Sequence, residues 1–181
     1  NRNSAYRFDG VDDYISVPHN DLLNLSDNFS ISLWANVASV QSPEDGINDI
    51  LRKWNGNAEG YPFSISYLNP LADDFQEDRI LYARYDGQQC DNSAISHSPQ
   101  ITNDRYIHIV MIREGNKIRT YIDNEMTGEV TDPTVCSTGN TADMTIGARG
   151  NLVRFFKGRI DDIRIYDRAL TDIEIANLYW E

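Results

Sequence analysis

The chain has 181 residues, 40% of them hydrophobic and 24% charged, which suits one folded domain and excludes a disordered chain. Its formal net charge of −12 sets up a field that repels phosphate backbones and anionic lipid surfaces, so neither nucleic acid nor membrane is an expected partner. No stretch reaches the roughly 20 apolar residues needed to cross a bilayer.

In chain order, the polar opening Asn1-Arg2-Asn3-Ser4 carries no secretion signal, and the expectation is a single domain, 1–181, taken from a larger secreted protein. Strand signals then follow at Tyr6 to Phe8, Tyr14 to Val17, Phe29 to Val37, Phe63 to Leu68 and Arg79 to Tyr85. Further ones lie at Tyr106 to Arg113, Lys117 to Ile122, Met144 to Ile146 and Arg159 to Tyr166. Most alternate apolar with polar residues, the period of a strand with one buried face. Trp34 is expected in the core by its alternation in the Phe29 to Val37 run. Asp9-Gly10, Asp86-Gly87, Glu114-Gly115-Asn116 and Asp123-Asn124 supply turns, and Ile107 to Ile122 reads as a β-hairpin.

One helix is predicted, Thr171 to Tyr179, with Thr171 as its cap and Glu174 completing a capping box. Many short strands and one short helix give the fold class: all-β, a two-sheet antiparallel β-sandwich or jelly roll with a short C-terminal helix. The basic residues Arg149, Arg154, Lys157, Arg159, Arg164 and Arg168 form either a local patch or, as we read them, an outward row of solvated side chains.

Cys90 and Cys136 lie in polar, turn-rich stretches, without metal-type spacing. A disulfide in an extracellular or cell-surface protein explains them, and free thiols in a cytosolic one are the alternative.

Three segments carry a family resemblance. Tyr6-Arg7-Phe8-Asp9-Gly10-Val11-Asp12-Asp13-Tyr14-Ile15, followed by Phe29 to Trp34, is similar to the opening of laminin-G-like jelly-roll modules of the concanavalin A-like lectin and glucanase superfamily. Asp104 to Glu125 resembles the central hairpin of that family, with Tyr106 where tryptophan is usual. Phe156-Lys157-Gly158-Arg159-Ile160-Asp161-Asp162-Ile163-Arg164-Ile165-Tyr166 resembles the closing strand, and the terminal helix follows it. The resemblance implies a sandwich whose loops choose the ligand, with Gln41 to Asn103 the least typical part.

The same resemblance implies a structural Ca²⁺ between the opening and closing strands. It falls here on Asp9, Asp12 and Asp161, with Asp13 and Asp162 in reserve, because Ca²⁺ takes six to eight oxygens from carboxylates, carbonyls and water. Solvation of turns is the alternative role for these acids.

Catalysis is not expected. The Glu-x-Asp-x-x-Glu of the related glucanases is missing, and His108 echoes the lyase pattern of the superfamily only faintly. Carbohydrate binding is the preferred function, because Arg52 to Asn92 concentrates flat aromatics and planar polar groups: Trp54, Asn55, Asn57, Tyr61, Tyr67, Tyr82, Arg84, Tyr85, Asp86, Gln88 and Asn92. Trp54 and Tyr61 are expected as stacking platforms. Tyr82 and Arg84 are expected on one strand face, Arg84 anchoring a hydroxyl or carboxylate. The partner would be a polysaccharide or glycan, and the parent chain would carry a catalytic or adhesin domain. A protein-binding adhesion or spacer domain, and an enzyme with an unrecognised carboxylate pair, are the other readings.

Overall fold

The computed structural model describes residues 5–39, 46–54, 56–71 and 77–181. The positions Asn1 to Ser4, and Asn55 of the proposed binding stretch, lie outside the described residues.

The strands are β1 Tyr6–Asp9, β2 Ile15–Val17, β3 Phe29–Val37, β4 Ile47–Arg52, β5 Tyr61–Leu68 and β6 Arg79–Tyr85, then β7 Ser93–His97, β8 Tyr106–Glu114, β9 Lys117–Ile122, β10 Glu125–Thr131, β11 Met144–Ile146 and β12 Lys157–Tyr166. Helix α1, Asp172–Trp180, ends the chain. Two six-stranded sheets form, sheet A in the order β1-β12-β3-β8-β9-β10 and sheet B in the order β2-β11-β4-β5-β6-β7. The pairings are antiparallel throughout.

Alternation drives the packing. Ile31, Leu33, Ala35 and Val37 of β3 and Ile107, Ile109 and Met111 of β8 point between the sheets, where they meet Phe63, Ile65 and Tyr67 of β5 and Ile80 and Tyr82 of β6. Each such side chain contributes about 1.5–3 kcal/mol on burial. The β8–β9 hairpin turns on Gly115 and Asn116, as Glu114 pairs with Lys117, and Asp123 and Asn124 take the φ values +51° and +67° of the next tight turn. Gly147 has φ +84°, and a Cβ there would stand 2.4 Å from the Phe8 ring, so only glycine lets β11 approach β1.

The helix falls where the capping box predicts it. Thr171 accepts the Glu174 N–H, and the Glu174 carboxylate accepts the Thr171 N–H. Its Ile175, with Leu170 just before it, packs on Val110, Ile112 and Tyr121, which face outward from sheet A. Trp34 is buried as expected, but beneath this helix rather than between the sheets: it stacks on Tyr179 at 5.6 Å, and His108 lies 5.0 Å from it and 5.9 Å from Tyr179.

Three strands, β4, β7 and β10, were not predicted. β4 reads as polar because it carries Asn48 and Asp49, both fully buried and partnered, while β10 is largely exposed and lacks an apolar period. The Cys90–Cys136 disulfide is formed and ties the turn after β6 to the segment after β10.

Candidate functional site on the outer face of sheet B

One register row crosses sheet B through Ser16, Thr145, Arg52, Ser64, Ala83 and Ile95. A second contains Asp49, Ser66, Leu81 and His97. Because Phe63, Ile65 and Tyr67 point inward, Ser64 and Ser66 and their row partners face outward. Just past β4 the chain turns at Trp54, whose indole N–H donates to the carbonyls of Asn57 (3.0 Å) and Glu59 (3.1 Å). Those bonds hold the ring in place. Lys53, fully buried, anchors the same point by donating to Ala142 O (2.7 Å) and Asn140 O (3.1 Å), and burial pushes its ammonium below the usual lysine range.

The aromatics form a row. Trp54 and Tyr61 have ring centroids 5.6 Å apart, and Tyr61 and Tyr85, register partners on β5 and β6, stand 5.8 Å apart. All three are half-buried. The Arg52 guanidinium lies 4.5 Å from both the Trp54 and the Tyr61 ring centroids, and that of Arg149 lies 4.9 Å from Trp54. Arg52 Nε is buried without a hydrogen-bond partner, and two flanking π faces offset part of that cost.

Asp49 organises the charges. Its carboxylate accepts Ser66 Oγ (2.6 Å) and Arg52 Nη1 (3.3 Å), and Arg149 Nε stands 3.9 Å away. Ser64 Oγ lies 3.2 Å from Ser66 Oγ and extends the network along the face. Burial raises the Tyr61 phenol above its usual range, opposed by the nearby guanidiniums of Arg52, Arg149 and Arg154 and reinforced by Asp49. Partly exposed flat rings, held in place by this buried network of guanidinium, carboxylate and hydroxyls, can hold a ring-shaped ligand by stacking.

Of the expected residues, Trp54 and Tyr61 come together here. Tyr82 and Arg84 do not, and this corrects the reading of both. They share one face of β6, as the alternation requires, but it is the inner one. Tyr82 is buried, and its hydroxyl donates to Tyr121 O (3.2 Å). Arg84 is buried too, donating to the carbonyls of Leu25 (2.7 Å), Pro62 (3.1 Å) and Ser26 (3.2 Å), and pairing with Asp132 at 3.2 Å. Burial and the neighbouring Arg113 pull its pKa down to about 10, against the pull of Asp132. A ligand on the outer face reaches neither residue.

The outward residue of β6 in the aromatic row is Tyr85. Sequence reasoning also missed Arg52, although its spacing of two from Trp54 was a signal, and Arg149, which had none. With Arg149 beside Trp54, the basic residues near the C-terminus are not all an outward solvated row.

The acids divide differently from expectation. Asp9, Asp12 and Asp13 can each bring one carboxylate oxygen to within 4.8 Å of the others. Asp9 Oδ1 accepts the Val11 N–H (2.8 Å), and Asp13 Oδ2 accepts the Asp9 N–H (2.9 Å), which shapes the turn and leaves further oxygens for an ion. The donor set is hard oxygen throughout and fits Ca²⁺. Asp161 does not join it. It pairs in register with Trp34, and its carboxylate accepts the Asp162 N–H, so Asp13 takes its place in the group.

His108 is buried under α1, 2.8 Å from Ser32 Oγ, where it cannot meet a substrate. Among the described residues no helix is long and apolar enough to cross a membrane.

No curated protein sequence matches the chain. Its fold is similar to several solved structures. The binding domain of Paraclostridial Mosquitocidal Protein 1 has a TM-score of 0.75 at 18% identity, over 99% of this chain and 44% of that one. The binding domain of Botulinum neurotoxin serotype G has a TM-score of 0.67 at 14% identity, over 98% and 46%. Domain 4 of AbnA, a GH43 extracellular arabinanase from Geobacillus stearothermophilus solved with arabinotriose, has a TM-score of 0.66 at 19% identity, over 97% and 76%. The chain thus spans less than half the length of the first two. At these identities the likeness is one of fold. A laminin-G family model covers residues 9–176, matching the opening hairpin, the central hairpin and the closing strand with its helix, and the chain therefore belongs to the concanavalin A-like lectin/glucanases superfamily.

Proposed function

We propose that this domain binds carbohydrate, without catalysis, on behalf of a larger extracellular protein such as a polysaccharide-degrading enzyme or an adhesin. The observation that carries the reading is the row Trp54–Tyr61–Tyr85 on the outer face of sheet B, supported by the buried Arg52 and Asp49–Ser66–Ser64 network. Stacking on such a row tolerates many sugars. The arabinanase domain of the same fold, solved with arabinotriose, supports the reading, and the disulfide fits an oxidising compartment.

Titration calorimetry against a panel of plant, algal and animal oligosaccharides tests it. At least one should bind, and Trp54→Ala should weaken that binding by about 1–3 kcal/mol, the worth of one large stacked side chain. Unchanged affinity in Trp54→Ala, or hydrolysis of any bound glycan, would overturn it. A protein-binding adhesion module is the second reading, favoured by Ile173 and Trp180, which are 74% and 78% exposed on α1. We further infer that Ca²⁺ binds the opening turn through Asp9, Asp12 and Asp13, as a structural ion.

A further inference from the structure

We propose that the cavity beside the aromatic row, walled by the loops after β4 and β6 and by Ser137 to Gly139, is a second sugar subsite that takes an uncharged unit by its hydroxyls. The proposal rests on the carbohydrate-binding reading and narrows it to one ligand class, a neutral glycan of at least two units.

The cavity measures about 330 Å³, and Glu59, Gly60, Asp86, Gln88, Gln89 and Ser137 are among the residues that line it. That volume stands at the small end of the range for small-molecule sites and suits one ring rather than a chain. It begins where the row ends. Gly60 and Asp86 adjoin Tyr61 and Tyr85, which are register partners. The Trp54 indole N–H donates to Glu59 O (3.1 Å) in one wall, and the Tyr85 hydroxyl donates to Asp91 Oδ1 (3.0 Å) in the turn that forms the other. A unit stacked on the row therefore has the cavity as its neighbour.

The walls are fixed before any ligand arrives. Gly87 holds φ +81°, and a Cβ on it would stand 3.0 Å from Gly60 N and 3.2 Å from Ala58 O, so a side chain there would push the two loops apart. The Gln88 N–H donates to Ala58 O (3.0 Å), and the Asp91 N–H closes the turn on Gly87 O (2.8 Å). Asp86 ties in the third wall. Its carboxylate accepts the N–H groups of Asn92 (2.8 Å), Val135 (2.9 Å) and Cys136 (3.2 Å), beside the Cys90–Cys136 disulfide. A site ordered in advance loses less entropy on binding.

The side chains within these walls are uncommitted. Gln88 and Gln89 are exposed, and neither amide has a hydrogen-bond partner among the described residues. Each offers a donor and an acceptor in one plane, which two neighbouring hydroxyls match. Glu59 spends Oε2 on the Asn57 amide (2.7 Å), which orients it and leaves Oε1 to accept from a ligand.

Charge decides which sugar enters. Glu59 and Asp86 line the cavity, Asp91 stands beside it, and no lysine or arginine among the described residues lines it. Arg52 and Arg149 lie against the Trp54 ring instead, and Lys53, whose charge acts with that of Glu59, is fully buried and bonded to Asn140 and Ala142. Asp86 is occupied by its backbone donors, so the acid a ligand meets is Glu59. It accepts a hydroxyl, whereas a uronate or sulfate brings like charge against it.

Calorimetry on the intact domain compares the galactose, xylose and arabinose series, and any further neutral glycan the wider panel returns, each as the single sugar and as the tetramer. Oligogalacturonate of the same length is the charged ligand. The variants are Gln88→Ala combined with Gln89→Ala, Glu59→Gln, Trp54→Ala and, as a remote control on sheet A, Arg119→Gln, with melting curves to confirm that each folds. In a series that binds, the tetramer should bind about tenfold or more tighter than the single sugar, because it fills both subsites. The double glutamine variant should remove most of that gain at an unchanged melting temperature. Oligogalacturonate should bind about tenfold weaker than the best neutral tetramer, and added salt and Glu59→Gln should each narrow the gap, while Arg119→Gln alters neither ratio. If the double variant keeps the full gain with length while Trp54→Ala loses binding, the row binds sugar and the cavity does not. A tetramer no tighter than its single sugar has the same meaning. If oligogalacturonate or another acidic glycan of the panel binds as tightly as the best neutral one, the neutral class falls and the carbohydrate reading stands. If no glycan binds at millimolar concentration, both fall.

Discussion

The outer faces of the two sheets carry similar side chains and put them to different uses. On sheet A, Trp34 and Tyr179 stack around His108 beneath α1, and the cluster is closed to solvent by the chain's own terminal helix. On sheet B, Trp54 and Tyr61 flank Arg52, and among the described residues no helix lies over them, so the rings stay partly exposed. An aromatic on a strand is therefore neither core nor binding residue by its type alone. What lies across it decides. The arginines repeat the lesson: Arg84 spends its fork inside the sandwich on carbonyls and Asp132, whereas Arg52 and Arg149 gather around the buried carboxylate of Asp49 on the other side of sheet B.

The sharpest way to break this comparison is to unpair the inner arginine. Asp132 is fully buried at the side-chain level and serves both Arg84 (3.2 Å) and Arg113 (2.5 Å). Asp132→Ala should cost about 3–5 kcal/mol in urea unfolding, because two cations lose their shared partner. Burial pushes the Asp132 carboxyl up, but Arg113, Thr134 and Arg84 together hold it below the ordinary value of 3.8. Its contribution is then fully present above that value and lost as pH falls through the lower folded pKa, so the acid limb of stability should flatten in the variant. An unaltered acid limb would detach Asp132 from the core's charge balance.

Trp34→Ala should cost nearly as much, about 3–5 kcal/mol, by leaving a cavity under α1, and should leave glycan affinity unchanged. Trp54→Ala should do the reverse, losing affinity and only about 1 kcal/mol of stability from the two loop hydrogen bonds. Similar effects of the two substitutions on both properties would dissolve the distinction between the faces.

Thr171→Ala tests the cover itself. Loss of the N-cap should cost about 1 kcal/mol and red-shift Trp34 emission as α1 frays, again without altering the ligand face. The smallest expected effect is that of the ion. Millimolar Ca²⁺ should raise the melting temperature modestly by mass action, chelator should reverse it, and Asp12→Asn should remove the response. A melting curve indifferent to calcium would return Asp9, Asp12 and Asp13 to the solvation of their turn.

Much of the fold was legible because its signals are local. Period-two alternation in Phe29 to Val37 and Lys117 to Ile122, the Gly115-Asn116 turn and the Thr171–Glu174 capping box each depend on residues close in sequence, and each holds in the structure. β4 was not legible, since its fully buried Asn48 and Asp49 look like loop residues until their partners Asn69, Ser66 and Arg52 are in place. The site was half legible. Alternation put Tyr82 and Arg84 on one face of β6 and Tyr85 on the other, but a strand's period cannot say which face is inside. That depended on the second sheet, which buries Tyr82 against Tyr121 O. Arg149 lay beyond any local signal, because only the packing of the β11–β12 loop on β4 brings it to Trp54. The sequence by itself therefore determined the strands, their turns and the helix cap, while tertiary structure alone decided which faces meet, and so which of its aromatics and arginines a ligand can touch.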